Sequence, residues 1–300
     1  MFGTEHFISK LKTVPAHSRK PFLNTYPAGI CSQRQMNNTI KLSSPATREF
    51  WEIALLFEDE HLLALDKPPL LPTSPDRSAP QRPSLMKLLH LDIHRGAAWA
   101  KGRGLTYLMN AHRLDYETSG VLLLAKSKPV LIALANLFGS ENVNLTFIAL
   151  VQGVPPDDKT TVAAKLAPHP ITSGLMHVDE KAGKQSKTQF QVRERFAGYA
   201  LLECRPFTHR PHQIRAHLRH IGFPVAGDTT YGGSPLLLSE LKSEYRLKPQ
   251  KTERPLLSST ALHAEELSLV HPITGSEVKA AAPWPKDLRV AVKYLRRYAL

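Results

Sequence analysis

Residues 111 to 120 read Ala-His-Arg-Leu-Asp-Tyr-Glu-Thr-Ser-Gly, placing His112, Arg113, Asp115, Thr118 and Ser119 within a few positions of one another. The stretch runs directly into Val121-Leu122-Leu123-Leu124-Ala125, an apolar run that reads as a buried strand. Reactive groups at the edge of a stiff strand suit a catalytic loop, because the scaffold fixes their geometry. The plainer reading is a polar turn in which Gly120 opens the strand.

A second cluster lies between residues 205 and 220. It holds Arg205, Arg210, Arg215, Arg219 and the histidines His209, His212, His217 and His220, with no acid among them. On a helix Arg215 and Arg219 share a face. Planar guanidiniums suit bidentate contacts to phosphate or carboxylate, so the cluster reads as a phosphate-binding surface beside an active site, or as a solvated basic helix face. His-x-x-His spacing occurs at 209/212 and 217/220, but the surrounding arginines would repel a divalent ion and no acid is at hand. No metal site is expected.

Several elements must position these groups. Trp51 to Phe57 and His61 to Lys67 read as strands, the second stopped by Pro68-Pro69. Ser84 suits the N-cap of a helix that turns Leu85, Leu88 and Leu89 inward. Arg95 to Gly104 reads as a surface loop. Pro129 opens a helix with Val130, Leu131, Leu134 and Leu137 inward and Gly139 as C-cap. Thr146 to Val151 is apolar on both faces, as in a central strand. Thr188 to Val192 and Tyr199 to Arg205 read as a strand pair joined near Gly198. Pro211 suits the first turn of a helix that buries Ile214, Leu218 and Ile221 and ends at Gly222. Residues 234–256 read as an exposed insertion, Leu262 to Val270 as a strand, and Arg289 to Tyr298 as a basic amphipathic helix.

The chain has 300 residues, an apolar share of 42% and a net charge of +13. That charge favours a polyanionic partner, and nucleic acid comes first. No apolar run approaches the roughly 18 residues that span a bilayer. Cys31 and Cys204 show no metal-ligand or disulfide spacing, which fits a reducing, cytoplasmic setting. Residues 1–47 are rich in Pro, Ser, Asn and basic residues and show no sustained period. They read as a disordered basic arm, an organelle transit segment, or sequence upstream of a start at Met36. Residues 48–300 read as one globular domain, expected to work as a monomer.

The order of several segments carries a resemblance. His112-Arg113-Leu114-Asp115 with Thr118-Ser119-Gly120 resembles the catalytic motif of RluA-type pseudouridine synthases. Glu58 to Pro69, Phe147 to Gly153, Gly183-Lys184 with Thr188, His212-Gln213-Ile214-Arg215 running on to Gly227-Asp228 and Tyr231-Gly232, and Leu262-His263-Ala264 resemble that family's further segments in the same order. Such a resemblance implies an α+β fold, with a mixed, mainly antiparallel central sheet flanked by helices and the active site in a central cleft. It implies isomerisation of uridine in rRNA or tRNA without a cofactor. Asp115 would be the nucleophile, Arg215 its ion-pair partner and Arg113 the residue that takes the place of the displaced base. His112, Phe147 and Arg210 would also contact the substrate.

Three departures stand out. Phe147 replaces a tyrosine that packs against the uracil, so the aromatic face remains without its hydroxyl. Leu145 replaces a lysine. His209 and Pro211 replace a Gly and a Thr in the loop before the helix. Phe147 gives substance to an alternative, a weak or inactive RNA-binding protein that keeps the fold. A glycosidase would need two carboxyls about 5–10 Å apart, and Glu117 is the one acid close to Asp115 in sequence.

Overall fold

In the computed structural model, which describes residues 39–76, 79–247 and 250–300, the chain opens with strands β1 (Thr39–Ser44), β2 (Glu49–Glu58) and β3 (Leu62–Lys67). Helices α1 (Leu85–Arg95) and α2 (Ala98–Lys101) follow, then β4 (Met109–Asn110), β5 (Ser119–Ala125), α3 (Lys128–Gly139) and β6 (Val143–Gln152). The second half holds β7 (Lys159–Ala163), β8 (Leu166–Pro168), β9 (Met176–Val178), β10 (Lys187–Phe196), β11 (Tyr199–Pro206) and α4 (Gln213–His220). A short 3-10 turn at Thr229–Tyr231, α5 (Leu238–Leu241), β12 (Leu262–Val270), β13 (Glu277–Ala281) and α6 (Lys286–Tyr298) complete it.

One sheet of eleven strands runs β1-β2-β3-β5-β12-β6-β11-β10-β7, with β4 added beside β5 and β13 beside β12; β8 and β9 pair separately. Every pairing is antiparallel except β5 with β12. β5 is buried at every position, as its unbroken apolar run requires of a strand covered on both faces. Gly120 is needed at the parallel joint. Its φ is +110° and its partner is Ala264, whose carbonyl would overlap any Cβ placed there.

The helices form where local signals agree. α1 has Ser84 as N-cap, its side chain accepting from the Lys87 amide, and closes on Gly96 in the left-handed region. α3 lies against β5, and α4 against β9, β10 and β11. No helix among the described residues is long and apolar enough to cross a membrane.

Four expectations change. Thr39–Ser44, expected to be irregular, is a strand: Ile40, Leu42 and Ser44 are buried while Lys41 and Ser43 are exposed, a period of two masked by polar composition. Residues 1–38, with the basic arm expected there, lie outside the described residues. The loop expected at Arg95 to Gly104 holds α2 and a buried Arg103, whose Nε reaches Glu58 at 2.9 Å. α4 starts at Gln213 rather than Pro211, because His212 takes a left-handed backbone, φ 52°, that no helix can include. Gly139 ends α3 as its last residue, and Ser140 caps it.

Candidate active site

Asp115 is fixed through its backbone neighbours. The Thr73 hydroxyl donates to the Leu114 carbonyl at 2.9 Å and accepts from the Leu114 amide at 3.1 Å, and Leu114 itself is buried. On the other side the Thr118 amide donates to the Asp115 carbonyl at 3.2 Å. Three residues before Asp115, His112 Nε2 accepts the Leu123 amide of β5 at 3.0 Å, and the Asn110 side chain donates to the His112 carbonyl at 2.8 Å. The loop is thus tied to the central strand at one end and to the 68–74 segment in its middle. A hydroxyl that serves one residue as both donor and acceptor leaves that residue little freedom.

The carboxylate faces α4. Arg215 Nη1 lies 3.5 Å from Asp115 Oδ2 and 3.1 Å from Glu117 Oε2. The shortest contacts of Arg215 are with Asp228, Nε to Oδ2 at 2.6 Å and Nη2 to Oδ1 at 2.8 Å, a bidentate pair. Arg215 is 1% exposed. Burial opposes its charge, but the hydrogen-bonded Asp228, with Asp115 and Glu117 beside it, outweighs that and holds the guanidinium above its usual range. So one buried arginine is anchored by Asp228 and offers its remaining nitrogen to Glu117 and Asp115. Lys67, fully buried, donates to the carbonyls of Pro68 and Leu71, both at 2.8 Å. Burial pushes its ammonium down to about 7 against the pull of Asp115, Glu117 and Asp66.

Asp115 and Arg215 open onto a cavity of about 430 Å³, within the range of small-ligand pockets. Its lining includes His112, Arg113, Asp115, Phe147, Arg210 and Arg215, so all six expected site residues meet there. Phe147, Leu145, Ile214 and Leu262 supply an apolar wall, while Arg113 and Arg210 are exposed at it. Phe147 lies on β6 opposite Cys204 of β11 and Ala264 of β12. His112 is held neutral: burial, then neighbouring His209, push it down to about 3. Its accepting Nε2 leaves the proton on Nδ1, which is buried without a partner among the described residues, as is the Thr118 hydroxyl.

The basic cluster does not form one surface. Arg215 turns inward to Asp228, while Arg219, expected on the same face, is exposed. Arg205 pairs with Glu203 at 2.6 Å. The four histidines separate: His217 bonds to Ser186 and Thr188, His209 sets its edge against Phe138, His212 bonds to Tyr231, and His220 is exposed. Among the described residues no group of three His, Cys, Asp or Glu side chains could hold a metal. Sequence reading gave no role to Thr73, Lys67, Asp228 or Tyr231. Asp228 and Tyr231 belong to the segment after α4 that carried part of the resemblance, and that was the available signal.

The family model for RNA pseudouridylate synthases matches residues 61–220. The ribosomal large subunit pseudouridine synthase D of Xanthomonas campestris pv. campestris is 31% identical over 270 residues, covering 87% of this chain and 75% of that protein. The chain belongs to the RNA pseudouridylate synthase family. The synthase C of Escherichia coli is 32% identical over 254 residues, 81% of this chain and 70% of its own. A solved structure titled human RNA pseudouridylate synthase domain containing 4 shares the fold, with a TM-score of 0.59 at 24% identity over 81% of this chain and 92% of that one. The RluA-type reading and the α+β fold with its mainly antiparallel sheet therefore hold, and the chain is an RNA pseudouridine synthase that isomerises uridine. In this synthase the phenyl ring of Phe147 and Leu145, both buried, line the cavity.

Proposed function

We propose that this synthase converts uridines of ribosomal RNA to pseudouridine with Asp115 as nucleophile. One observation carries the reading: a carboxylate, an aromatic face and a buried guanidinium, from Asp115, Phe147 and Arg215, converge on a single cavity. The target uridine leaves its stack, at a cost of a few kcal/mol, and Arg113 fills the space it vacates. The base lies against Phe147, with His112 and Arg210 contacting the nucleotide. Asp115 acts on the ribose, by attack at C1′ or by removing the neighbouring sugar proton. The N1–C1′ bond breaks, the base turns, the C5–C1′ bond forms and the C5 proton is lost to solvent as N1 gains one. The atoms balance without a cofactor. Arg215 compensates the charge of Asp115 and Glu117.

Ribosomal RNA is preferred over transfer RNA because the relatives carry large-subunit names. The same reading has the enzyme act as a cytoplasmic monomer, with the basic residues before 48 adding RNA contacts. The test is pseudouridine formation, detected by chemical adduct and mass spectrometry, on ribosomal and transfer RNA. Asp115→Ala should lower the rate by about 10⁴-fold or more while RNA binding persists. Parental rates from Asp115→Ala would overturn the assignment, and product confined to transfer RNA would overturn the substrate.

A further inference from the structure

Arg215 spends its best hydrogen bonds on Asp228, so Asp115 has room for a second partner. His212 is placed to be that partner. Its Nε2 lies 3.9 Å from Asp115 Oδ1, on the oxygen that Arg215 does not face. Its Nδ1 lies 2.9 Å from the Tyr231 hydroxyl. Tyr231 is 1% exposed, and its oxygen already accepts the Met176 amide at 3.0 Å. Burial pushes the phenol up to about 12, so it keeps its proton, and a buried O–H needs an acceptor. Among the described residues His212 Nδ1 is the acceptor in reach. A proton donated to Nδ1 leaves the imidazole's own proton on Nε2, directed at Asp115.

Two further features fit a built arrangement. The Arg215 guanidinium lies over the Tyr231 ring, 4.9 Å from its centre, and the His212 ring meets the Tyr231 ring edge-on at 83°. His212 also holds a left-handed backbone at φ 52°, a conformation that glycine or asparagine adopts with less strain.

We propose that Tyr231 locks His212 into its Nε2–H tautomer, and that His212 is a positioning residue whose Nε2–H hydrogen-bonds Asp115 Oδ1 in the RNA complex. The bond orients one oxygen of Asp115, and the 3.9 Å gap closes when substrate fills the cavity, as catalytic hydrogen bonds do. The inference rests on Asp115 as the reacting carboxylate.

The closing experiment combines spectroscopy with kinetics. In protein labelled with ¹⁵N-histidine, the His212 signals, assigned by their loss in His212→Gln, should report the Nε2–H tautomer in the parent and a mixture in Tyr231→Phe. In steady-state assays His212→Asn, which keeps a partner for Tyr231 and suits the left-handed backbone, should lose about 30-fold or more in kcat with KM within about twofold. His212→Gln, whose amide reaches the Nε2 position, should recover most of that loss, and Tyr231→Phe should cost nothing further in the His212→Asn background. An Nδ1–H tautomer in the parent overturns the proposal, as do equal rates for the Asn and Gln variants or additive losses in the double variant. Each of these results leaves the role of Asp115 standing. That role fails separately, through an active Asp115→Ala.

Discussion

A phenyl ring at position 147 gives a pyrimidine base a surface to lie on and no hydroxyl to take its C5 proton. Phe147 is 7% exposed and lines the cavity, where the proposed mechanism lays the base. Phe147→Tyr should therefore raise kcat by about tenfold, at the low end of what a positioned proton acceptor supplies, with KM little changed. An unchanged or lower kcat would show that C5 proton loss does not wait on this group. Lys67 makes a different demand. Its pKa is about 7 in the fold, against 10.5 for an ordinary lysine. Below about pH 7 both folded and unfolded chains hold the proton, and the cost of the buried charge is present in full. Between 7 and 10.5 the unfolded chain keeps a proton that the native protein has released, so stability rises with pH. Relative to Lys67→Met, the parent should gain at most about 1.4 kcal/mol per pH unit across that window, read by urea unfolding. A flat difference would sink the assignment. Asp115 and Arg215 are legible in the sequence because each sits in a contiguous motif. Thr73 is not, because it sits in no motif and what it does is decided by a contact made 41 residues away, and the motif that holds Asp228 marks its position but not its bond to Arg215.

Elements read well where one physical signal dominates. β5, and β6 from Phe147 to Val151, are buried on both faces, and α1 has a cap at each end. β1 escapes notice because its alternation rests on two apolar residues, Ile40 and Leu42, with Ser44 at the third inward position, and the start of α4 is obscured by a proline that belongs to the preceding turn. The parallel pairing of β5 with β12 has no local signature, since it joins residues 144 apart through contacts such as Ser119 Oγ to His263 Nδ1 at 2.9 Å. Gly120 is the exception that a sequence can flag: a glycine opening a fully buried strand marks a close backbone approach. Gly120→Ala must place a Cβ against the Ala264 carbonyl and hold a positive φ. It should destabilise the fold by about 2 kcal/mol or more, seen as a lower urea midpoint. Stability equal to the parent would mean that the β5–β12 joint can shift.

At the scale of the whole molecule, β12 stands between β5 and β6, so a strand from near the C-terminus joins the half that carries Asp115 to the half that carries α4 and Arg215. The active site forms at that joint, which explains why its parts are dispersed in sequence. The same joint gathers charge. Arg113 and Arg210 are exposed at the cavity, and the chain as a whole carries +13, a balance legible from composition though its distribution is not. Many other arginines are already matched by carboxylates: Arg193 by Glu203 and Glu265, Arg296 by Glu194. A matched arginine brings little net charge to a phosphate, whereas Arg210, which donates to the Gln185 carbonyl, keeps its charge for one. RNA affinity should therefore fall steeply with salt, and Arg210→Ala should reduce the slope of log K against log salt by about 0.7–0.9, the share of one phosphate contact. Arg296→Ala should leave the slope as it is. Filter-binding titrations across salt concentrations decide between them. Equal slopes for the parent and Arg210→Ala would mean that the RNA backbone crosses elsewhere on this surface.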